Sequence, residues 1–265
     1  MASILNNIPS MSSRRHLGIA QRGLNNTIGR LSTGMRITKA ADDAAGLQIS
    51  NNLRADIKIL GQDMRNANDG IGRIQIADGV LEEATNLLTR AAQLAEQAAS
   101  GTTSDAGRTA LDAEYTEIKA ALTALDANTK VDGNAIFGSA LEIRVGEGAT
   151  VTVGAINMAS EDLSLEGDLS DTDNASDELT AITAAIESIS ASRGTLGAKQ
   201  QRLATIVNSL GITAENTQAA ESQIRDADVA EEVVNLTKFQ ILTQSGVASL
   251  AQANQSSQSV LSLLA

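Results

Sequence analysis

The chain has 265 residues, a formal net charge of -12 at pH 7 and no cysteine, which excludes disulfides, thiolate metal sites and a cysteine nucleophile. One histidine, one tyrosine and two phenylalanines exclude clusters of histidine ligands and a core built on bulky rings. Because 42% of the residues are hydrophobic, we expect a large buried surface of Ala, Leu, Ile and Val, as in close helix packing.

The charges are strongly segregated along the chain. Residues 1–41 carry six cations and no acidic residue, residues 145–192 carry ten acidic residues and no basic one, and residues 239–265 carry no charged side chain. The basic segment lacks the interleaved aromatic residues that stack on bases, which argues against nucleic-acid binding. There is no secretory signal pattern and no apolar run of roughly 18 residues that would span a membrane. The residues alone therefore predict a cytoplasmic protein unless a dedicated export route exists.

The first predicted helix covers residues 3–33 and ends at Gly34, a residue that readily takes the left-handed conformation of a helix stop. A connector leads to Asp42 and Asp43, whose carboxylates complement the positive end of the next helix. The apolar stripe of the first helix repeats every seven residues. Its members are Leu17, Leu24, Ile28 and Leu31.

The longest predicted helix covers residues 43–99. Thirteen positions between Leu53 and Ala95 step alternately by four and three, and eleven of them are apolar, which is the heptad repeat of a coiled coil. At 1.5 Å per residue such a helix is roughly 85 Å long, too long for a compact globule. We therefore expect a rod-shaped bundle.

The middle of the chain changes pattern three times. After a predicted turn at residues 100–107, a shorter helix carrying Leu111 to Leu125 should fold back antiparallel on the long one. Apolar residues then alternate over Leu141–Val145 and Ala149–Val153 around a glycine turn, which predicts a β-hairpin. The acidic segment 160–178 is rich in Gly, Ser, Thr and Asp, and we expect it to be exposed and loosely ordered.

The heptad pattern returns in the C-terminal half. A stripe from Leu179 to Leu210 is the predicted partner of the long helix, and a final helix runs from about Val229 to Leu264. Because desolvating charges costs several kcal/mol, the charge-free end of this helix predicts burial against partners. We expect the two terminal helices to pair, and then to pack with copies of themselves. The residues predicted to pack between subunits are Leu17, Leu24, Ile28, Leu31, Val233, Leu236, Val247, Leu250, Leu261 and Leu264.

Four segments resemble bacterial flagellin, the subunit of the flagellar filament. They are LSTGMRITKAADDAAGLQIS (31–50), RNANDGI (65–71), IRDADVAEEV (224–233) and LAQANQSSQSVLSLL (250–264). Longer flagellins carry extra outer domains after the hairpin, whereas only the acidic segment stands there in this chain. The chain therefore resembles a short flagellin that lacks large outer domains.

The resemblance implies a mainly α fold: a long antiparallel helical bundle with a small β-hairpin, whose terminal helices form an inner tube on polymerisation. The implied segments are an inner-tube helix and connector (1–42), the N-terminal rod helices (43–140), the hairpin and outer loop (141–178), the C-terminal rod helix (179–218), and a connector with the second inner-tube helix (219–265). No cofactor and no enzymatic activity are implied.

The implied function is that of a structural subunit, which polymerises into the extracellular filament that drives swimming. The implied partners are copies of itself, an export chaperone on the C-terminal helix, the cap and the hook-associated proteins, with export through the flagellar type III apparatus. The nearest alternative is a hook–filament junction protein. An enzyme finds no support, since Asp42, Asp43, Asp226 and Asp228 cluster near helix ends without a nucleophile–base pair. An amphipathic lipid-binding protein is the other alternative.

The resemblance also implies a surface read by host innate immune receptors. Its members here are Leu88, Arg90, Leu94, Gln97 and Glu114. Gln93 stands where well-recognised flagellins usually have Glu, and Ala92 where they often have Arg, which predicts weakened recognition. Val260, Leu261, Leu263 and Leu264 resemble the segment sensed by cytosolic inflammasome receptors, although burial between subunits explains them equally well.

Overall fold

The computed structural model describes residues 7–146 and 148–262, with side chains described up to residue 256. Over these residues the chain forms long helices connected by short segments and two small β-hairpins. The helices are α1 (Ile8–Thr33), α2 (Ala44–Ala99), α3 (Asp105–Asn128), α4 (Thr172–Arg225) and α5 (Val229–Ser262), and the strands are β1 (Lys130–Val131), β2 (Asn134–Ala135), β3 (Leu141–Arg144) and β4 (Thr150–Val153).

The structure divides into two compact units. The terminal unit comprises the chain up to Ile57 and from Glu215 onward, and the central unit is Lys58–Ala214. The helices α2 and α4 contribute residues to both units, whereas α1 and α5 belong to the terminal unit alone.

The core of the central unit is built from the predicted heptad positions. Ile74, Leu81 and Leu88 of α2 are buried in one cluster with residues of α3 and α4. The α4 members of that cluster are Ala175, Ile182, Ala185, Ile189, Leu196 and Leu203. Thus the pairing of the two long stripes is confirmed.

A group of ion pairs connects α2 and α4 at one level of the heptad stripes. The Nε of Arg193 donates to Asp78 at 2.8 Å, and its Nη2 approaches Glu82 at 3.3 Å. The hydrogen bond that Arg193 donates to Asp78 raises the pKa of Arg193. Both Arg193 and Asp78 occupy heptad positions, so this pair replaces an apolar contact at that level.

The C-terminal end of α1 matches the prediction. Gly34 adopts φ 69°, and its N–H donates to the carbonyl of Arg30, so the predicted stop is confirmed. The predicted start at Ser3 lies outside the described residues. Asn7 has non-helical angles, and its side chain accepts a hydrogen bond from the N–H of Ser10 at 3.0 Å, so it caps a helix that begins at Ile8.

The predicted turn after α2 is shorter than residues 100–107. The Ser104 side chain accepts a hydrogen bond from the Gly107 N–H at 3.2 Å, so α3 already begins at Asp105. The short connection returns α3 along α2, as predicted.

The predicted hairpin is confirmed as β3 and β4, which pair antiparallel. Ile143 opposite Val151, together with Val153, forms its buried face. A second hairpin, β1–β2, was not predicted. Its turn residues Asp132 (φ 53°) and Gly133 (φ 76°) carry the Asp-Gly signal of a two-residue hairpin turn.

The prediction of a loosely ordered acidic segment is wrong. Leucines at positions 163, 165 and 169 are buried in the core cluster, and α4 begins at Thr172, seven residues before the predicted Leu179. The Leu169 N–H donates to Asp112 of α3 at 2.9 Å, and the Gly167 carbonyl accepts from Lys119 at 2.8 Å. The segment is ordered because its leucines supply apolar burial and its backbone finds partners on α3.

Candidate functional site

The helices α1 and α5 form an antiparallel pair in the terminal unit. Near the start of α1, the Asn7 side chain donates to the Ala253 carbonyl at 3.1 Å. Near its end, the Arg30 guanidinium donates to Glu232 at 3.2 Å. The pairing of the two terminal helices is therefore confirmed.

Two glycines, one on each helix, allow this pair to approach closely. A Cβ on Gly23 of α1 would overlap the ring of Phe239, and a Cβ on Gly246 of α5 would lie 3.2 Å from the Leu17 side chain. Each glycine thus receives a large side chain of the partner helix. This reciprocal packing specifies one register of the pair.

The two connectors beside this pair run next to each other, and we call them the joint (residues 34–43 and 226–228). Met35 and Asp226 form an antiparallel bridge. The Arg36 N–H donates to the Arg225 carbonyl at 2.7 Å, and the Ala227 N–H donates to the Gly34 carbonyl at 2.9 Å. Backbone bonds therefore hold the two connectors in one alignment.

The two acidic residues predicted at the start of α2 have different roles. Asp43 accepts from the Gly46 N–H at 2.9 Å, which caps the helix as predicted. Asp42 instead closes the connector, because it accepts from the N–H groups of Lys39 at 3.0 Å and Thr38 at 3.2 Å. These backbone hydrogen bonds, Lys39 first, lower the pKa of Asp42.

The exposed large hydrophobic residues are concentrated on α1 and α5. Ten of the fourteen exposed large hydrophobic residues in the described chain lie on these two helices. Val234 and Ile241, 66% and 60% exposed, lie nearly opposite Phe239 around α5 and so point away from α1. A helix that is apolar all round is normally buried on all sides. The ten residues are Ile8, Met11, Ile19 and Ile28 on α1, and Val229, Val233, Val234, Ile241, Leu242 and Val247 on α5.

The residues predicted to pack between subunits fall into three groups. Ile28, Val233 and Val247 are exposed in the single chain. Leu17, Leu24, Leu31, Leu236 and Leu250 are half-buried within the terminal unit. The side chains of Leu261 and Leu264 lie outside the described residues.

The heptad pattern did not identify most of the exposed apolar residues. It follows a single stripe on each helix, and five of the eight stripe residues whose side chains are described are half-buried within the terminal unit. The remaining exposed apolar residues could have been found from two other features of the sequence: the absence of charge beyond Phe239, and the apolar residues on every side of α5.

Only three of the five residues predicted to contact immune receptors are exposed. Leu88 and Leu94 are 0% and 1% exposed, so the prediction that they are available to a partner is wrong. Both belong to the core cluster that α2 forms with residues of α3 and α4. Arg90, Gln97 and Glu114 are exposed, and Arg90 forms an ion pair with Glu114 at 2.7 Å.

Neither a metal-binding cluster nor a membrane-spanning helix is found among the described residues. They contain no group of three or more His, Asp or Glu side chains placed to hold a metal ion. None of the helices in this part of the chain has the length and apolar character needed to cross a bilayer. The terminal helix pair is therefore the candidate site that the geometry supports best.

Family comparisons agree with this location. The model of the bacterial flagellin N-terminal helical region matches residues 4–140. The model of the bacterial flagellin C-terminal helical region matches residues 179–264. The two matches include α1 and α5.

Individual relatives match over nearly their whole length. The chain is 36% identical to a flagellin of Halalkalibacterium halodurans over 98% of this chain and 99% of the relative. It is 35% identical to the flagellar filament 30.7 kDa core protein of Treponema maltophilum, with the same coverage.

Among solved structures, the crystal structure of Bacillus cereus flagellin matches 59% of this chain and 94% of its own, with a TM-score of 0.51 and 30% identity. A putative flagellar hook-associated protein of Vibrio parahaemolyticus matches 70% of this chain and 100% of its own, with a TM-score of 0.60. That second match is only 11% identical and shows the fold alone.

Proposed function

This chain belongs to the bacterial flagellin family and is a structural subunit of the extracellular flagellar filament, and we propose that α1 and α5 form its contact with neighbouring subunits. The observation that carries the proposal is the concentration of exposed apolar side chains on these two helices. Flagellins are a structural protein family, which argues against an enzymatic role.

The energetics favour burial of these helices by copies of the chain. Full burial of one Val, Leu or Ile side chain stabilises by about 1.5–3 kcal/mol. Ten such residues left in water would make the pair prone to association. We propose that the ten residues predicted from the heptads, together with the further exposed residues, line an inner tube in the filament.

We also propose that the chain is divided into the five segments expected from the sequence. In this division residues 43–140 and 179–218 form the rod, and residues 141–178 lie outermost.

The test replaces two exposed residues of α5. Val234→Ser with Ile241→Ser should leave the helical content of the monomer unchanged, because both side chains are already in water. The critical concentration for polymerisation should rise by about tenfold for each side chain removed, because the burial of each one stabilises the contact by at least about 1.5 kcal/mol. Sedimentation and negative-stain microscopy measure the filament fraction.

The matched control makes the same kind of change in the central unit. Ile59→Ser with Ile76→Ser removes two residues that are 52% and 45% exposed. This variant should polymerise close to normally. Equal losses in both variants, or normal filaments from the Val234 and Ile241 variant, would show that α5 is not the main contact.

A hook–filament junction protein is the less favoured alternative. The relatives that match along nearly the whole chain are named flagellin or flagellar filament core protein. The hook-associated structure resembles this chain in fold only. Purified subunits that cap hooks but never elongate would favour the junction role.

We propose an export chaperone, the cap and the hook-associated proteins as further partners. The exposed apolar residues of α5, such as Leu242 and Val247, would need cover before polymerisation, which supports a chaperone on this helix. Co-purification of the chaperone with the intact chain, but not with one lacking α5, is the expected result. Chaperone binding that survives loss of α5 would contradict it.

Recognition by innate immune receptors is proposed for a reduced surface: Arg90, Gln97 and Glu114. Because Arg90 and Glu114 already pair with each other, we expect Arg90→Ala and Glu114→Ala to lower receptor signalling similarly. Loss with the first and full signalling with the second would contradict equal roles. The C-terminal leucines 261, 263 and 264 are first assigned to burial between subunits.

A further inference from the structure

Two clusters of exposed charge, opposite in sign, lie in the terminal unit. Arg14, Arg15 and Arg22 are exposed on α1, a helix without an acidic residue, and we call them the basic face. At 100° per residue, Arg15 and Arg22 lie nearly opposite the buried Ala20, so they point away from α5. The half of α5 beyond Phe239, which pairs with this part of α1, has no charged side chain. Among the described residues, the basic face therefore has no ion-pair partner.

The opposite charge collects at the joint and the first turn of α5. This region contains five exposed carboxylates and only two exposed cations, Arg36 and Lys39. None of the five has an ion-pair partner within 4.0 Å among the described residues. We call these five the acidic joint. They are Asp42, Asp43, Asp226, Asp228 and Glu231.

Glu232 adds a buried negative charge beside the acidic joint. It is 6% exposed, and Arg30 donates to only one of its carboxylate oxygens. The other oxygen, Oε2, has no hydrogen-bond partner among the described residues. A buried carboxylate that is half satisfied is costly, so added positive charge nearby would stabilise this end of the unit.

The two charged regions cannot neutralise each other within one copy. Arg22 precedes the end of α1 at Thr33 by eleven residues, which is roughly 17 Å of helix. Charges in physiological salt are screened beyond about 8 Å. Both regions are therefore available to opposite charges from outside their own chain.

We propose that the basic face of one copy packs on the acidic joint of the next copy, head to tail along the filament. The proposal rests on the filament function and adds the partner and direction of the contact. A contact between two different surfaces of identical chains builds an open helical polymer when its rotation does not close a ring, and a filament requires a contact of this kind. Opposite charges then specify register and direction, while Ile8, Met11 and Ile19 of the same helix supply apolar burial.

The experiment reverses each region separately in the full chain. The face variant carries Arg15→Glu and Arg22→Glu, and the joint variant carries Asp226→Lys and Glu231→Lys. Alone, each variant brings like charges together at every contact, so its critical concentration for polymerisation should rise at least about tenfold. An equimolar mixture should polymerise again, because every contact between unlike copies then joins opposite charges. A chain with all four changes should polymerise alone for the same reason.

Controls separate this inference from the filament function itself. Lys58→Glu with Lys130→Glu changes the net charge equally at exposed cations of the central unit and should polymerise normally. If the unaltered chain forms no filaments, the filament function fails. If it forms them and the face variant does so at the same critical concentration, only the charge inference is overturned. A mixture that yields dimers instead of filaments in sedimentation would overturn the head-to-tail direction.

Discussion

At the scale of single residues, Tyr115 shows how one polar side chain orders a whole segment. Its hydroxyl donates to Glu178, which also accepts from the Gly167 N–H at 3.1 Å. The ammonium of Lys119 lies 4.7 Å from the centre of the Tyr115 ring. One tyrosine on α3 therefore ties α4 to the acidic segment that precedes it.

The first prediction concerns the pKa of Tyr115. Burial in the first place, and then the hydrogen bond to Glu178, raises this pKa above the ordinary value of 10.0. The folded pKa lies above the unfolded one, so this stabilisation is complete below about pH 10 and is lost as the pH rises further. Ultraviolet absorbance of the phenolate measures the titration directly, since Tyr115 is the only tyrosine and the chain has no tryptophan.

The control for this titration is Tyr115→Phe. It leaves the Glu178 carboxylate without its phenol donor and should lower the free energy of unfolding by about 1–3 kcal/mol at neutral pH. Its stability should fall less steeply above pH 10 than that of the unaltered chain. A Tyr115 that ionises near pH 10 while the chain is still folded would contradict the buried contact.

The second prediction concerns the packing of Gly23 against Phe239. Gly23→Ala should weaken the α1–α5 pair by about 1–3 kcal/mol, because the added methyl group would overlap the ring. Gly18→Ala is the matched control on the same helix, since nothing lies within 4 Å of its added Cβ. It should stabilise α1 by about 1 kcal/mol through helix propensity. The temperature at which filaments disassemble measures the effect of each variant. If Gly23→Ala and Gly18→Ala shift this temperature in the same direction, the proposed contact is excluded.

At the scale of elements, the hairpin β3–β4 depends on one close approach to α2. A Cβ on Gly70 would overlap the Ile143 side chain, which is buried on the inner face of β3. An isolated hairpin of two strands is marginal in water, so this contact anchors it. The third prediction is that Gly70→Ala lowers the free energy of unfolding of the central unit by about 1–3 kcal/mol.

The control for Gly70→Ala is Gly72→Ala on the same helix. No atom lies within 4 Å of its added Cβ, so this change should be neutral or stabilising by up to about 1 kcal/mol. Denaturant unfolding followed by circular dichroism distinguishes the two. Equal stability of both variants would mean that Ile143 can repack without cost.

The long helices and the larger hairpin could be predicted because they repeat a local pattern. The heptad positions from Leu53 to Ala95 predicted α2, whose observed ends lie within one residue of the predicted 43–99. The alternation of apolar residues predicted β3–β4. The order of the acidic segment could not be predicted, because it depends on the distant partners Asp112 and Lys119 on α3. The burial of Leu88 could have been predicted from the same heptad stripe, but the resemblance placed this residue on the surface. The ion pair between Asp78 and Arg193 needed a spatial register that sequence spacing does not contain.

At the scale of the whole molecule, the two units differ sharply in buried apolar content. Among the described residues, the central unit buries 28 hydrophobic side chains in one cluster. The terminal unit buries two, Ala20 and Ile37, and exposes ten large ones on α1 and α5. Regions with few buried apolar contacts open at the lowest free energy. The terminal unit is therefore the part of the chain that gains most from neighbouring copies.

The last prediction follows from this difference and uses hydrogen exchange on the full chain. In dilute monomer, the amides of α1 and α5 should exchange rapidly while those of α2 around Leu81 and of α4 around Ile189 stay protected, because only the latter lie in a large core. After polymerisation, α1 and α5 should become strongly protected as neighbours exclude water from their apolar faces. The Val234→Ser with Ile241→Ser variant should gain less of this protection at the same concentration. Strong protection of the terminal helices already in dilute monomer would mean that this pair is stable without neighbours, and its exposed apolar faces would then need another explanation.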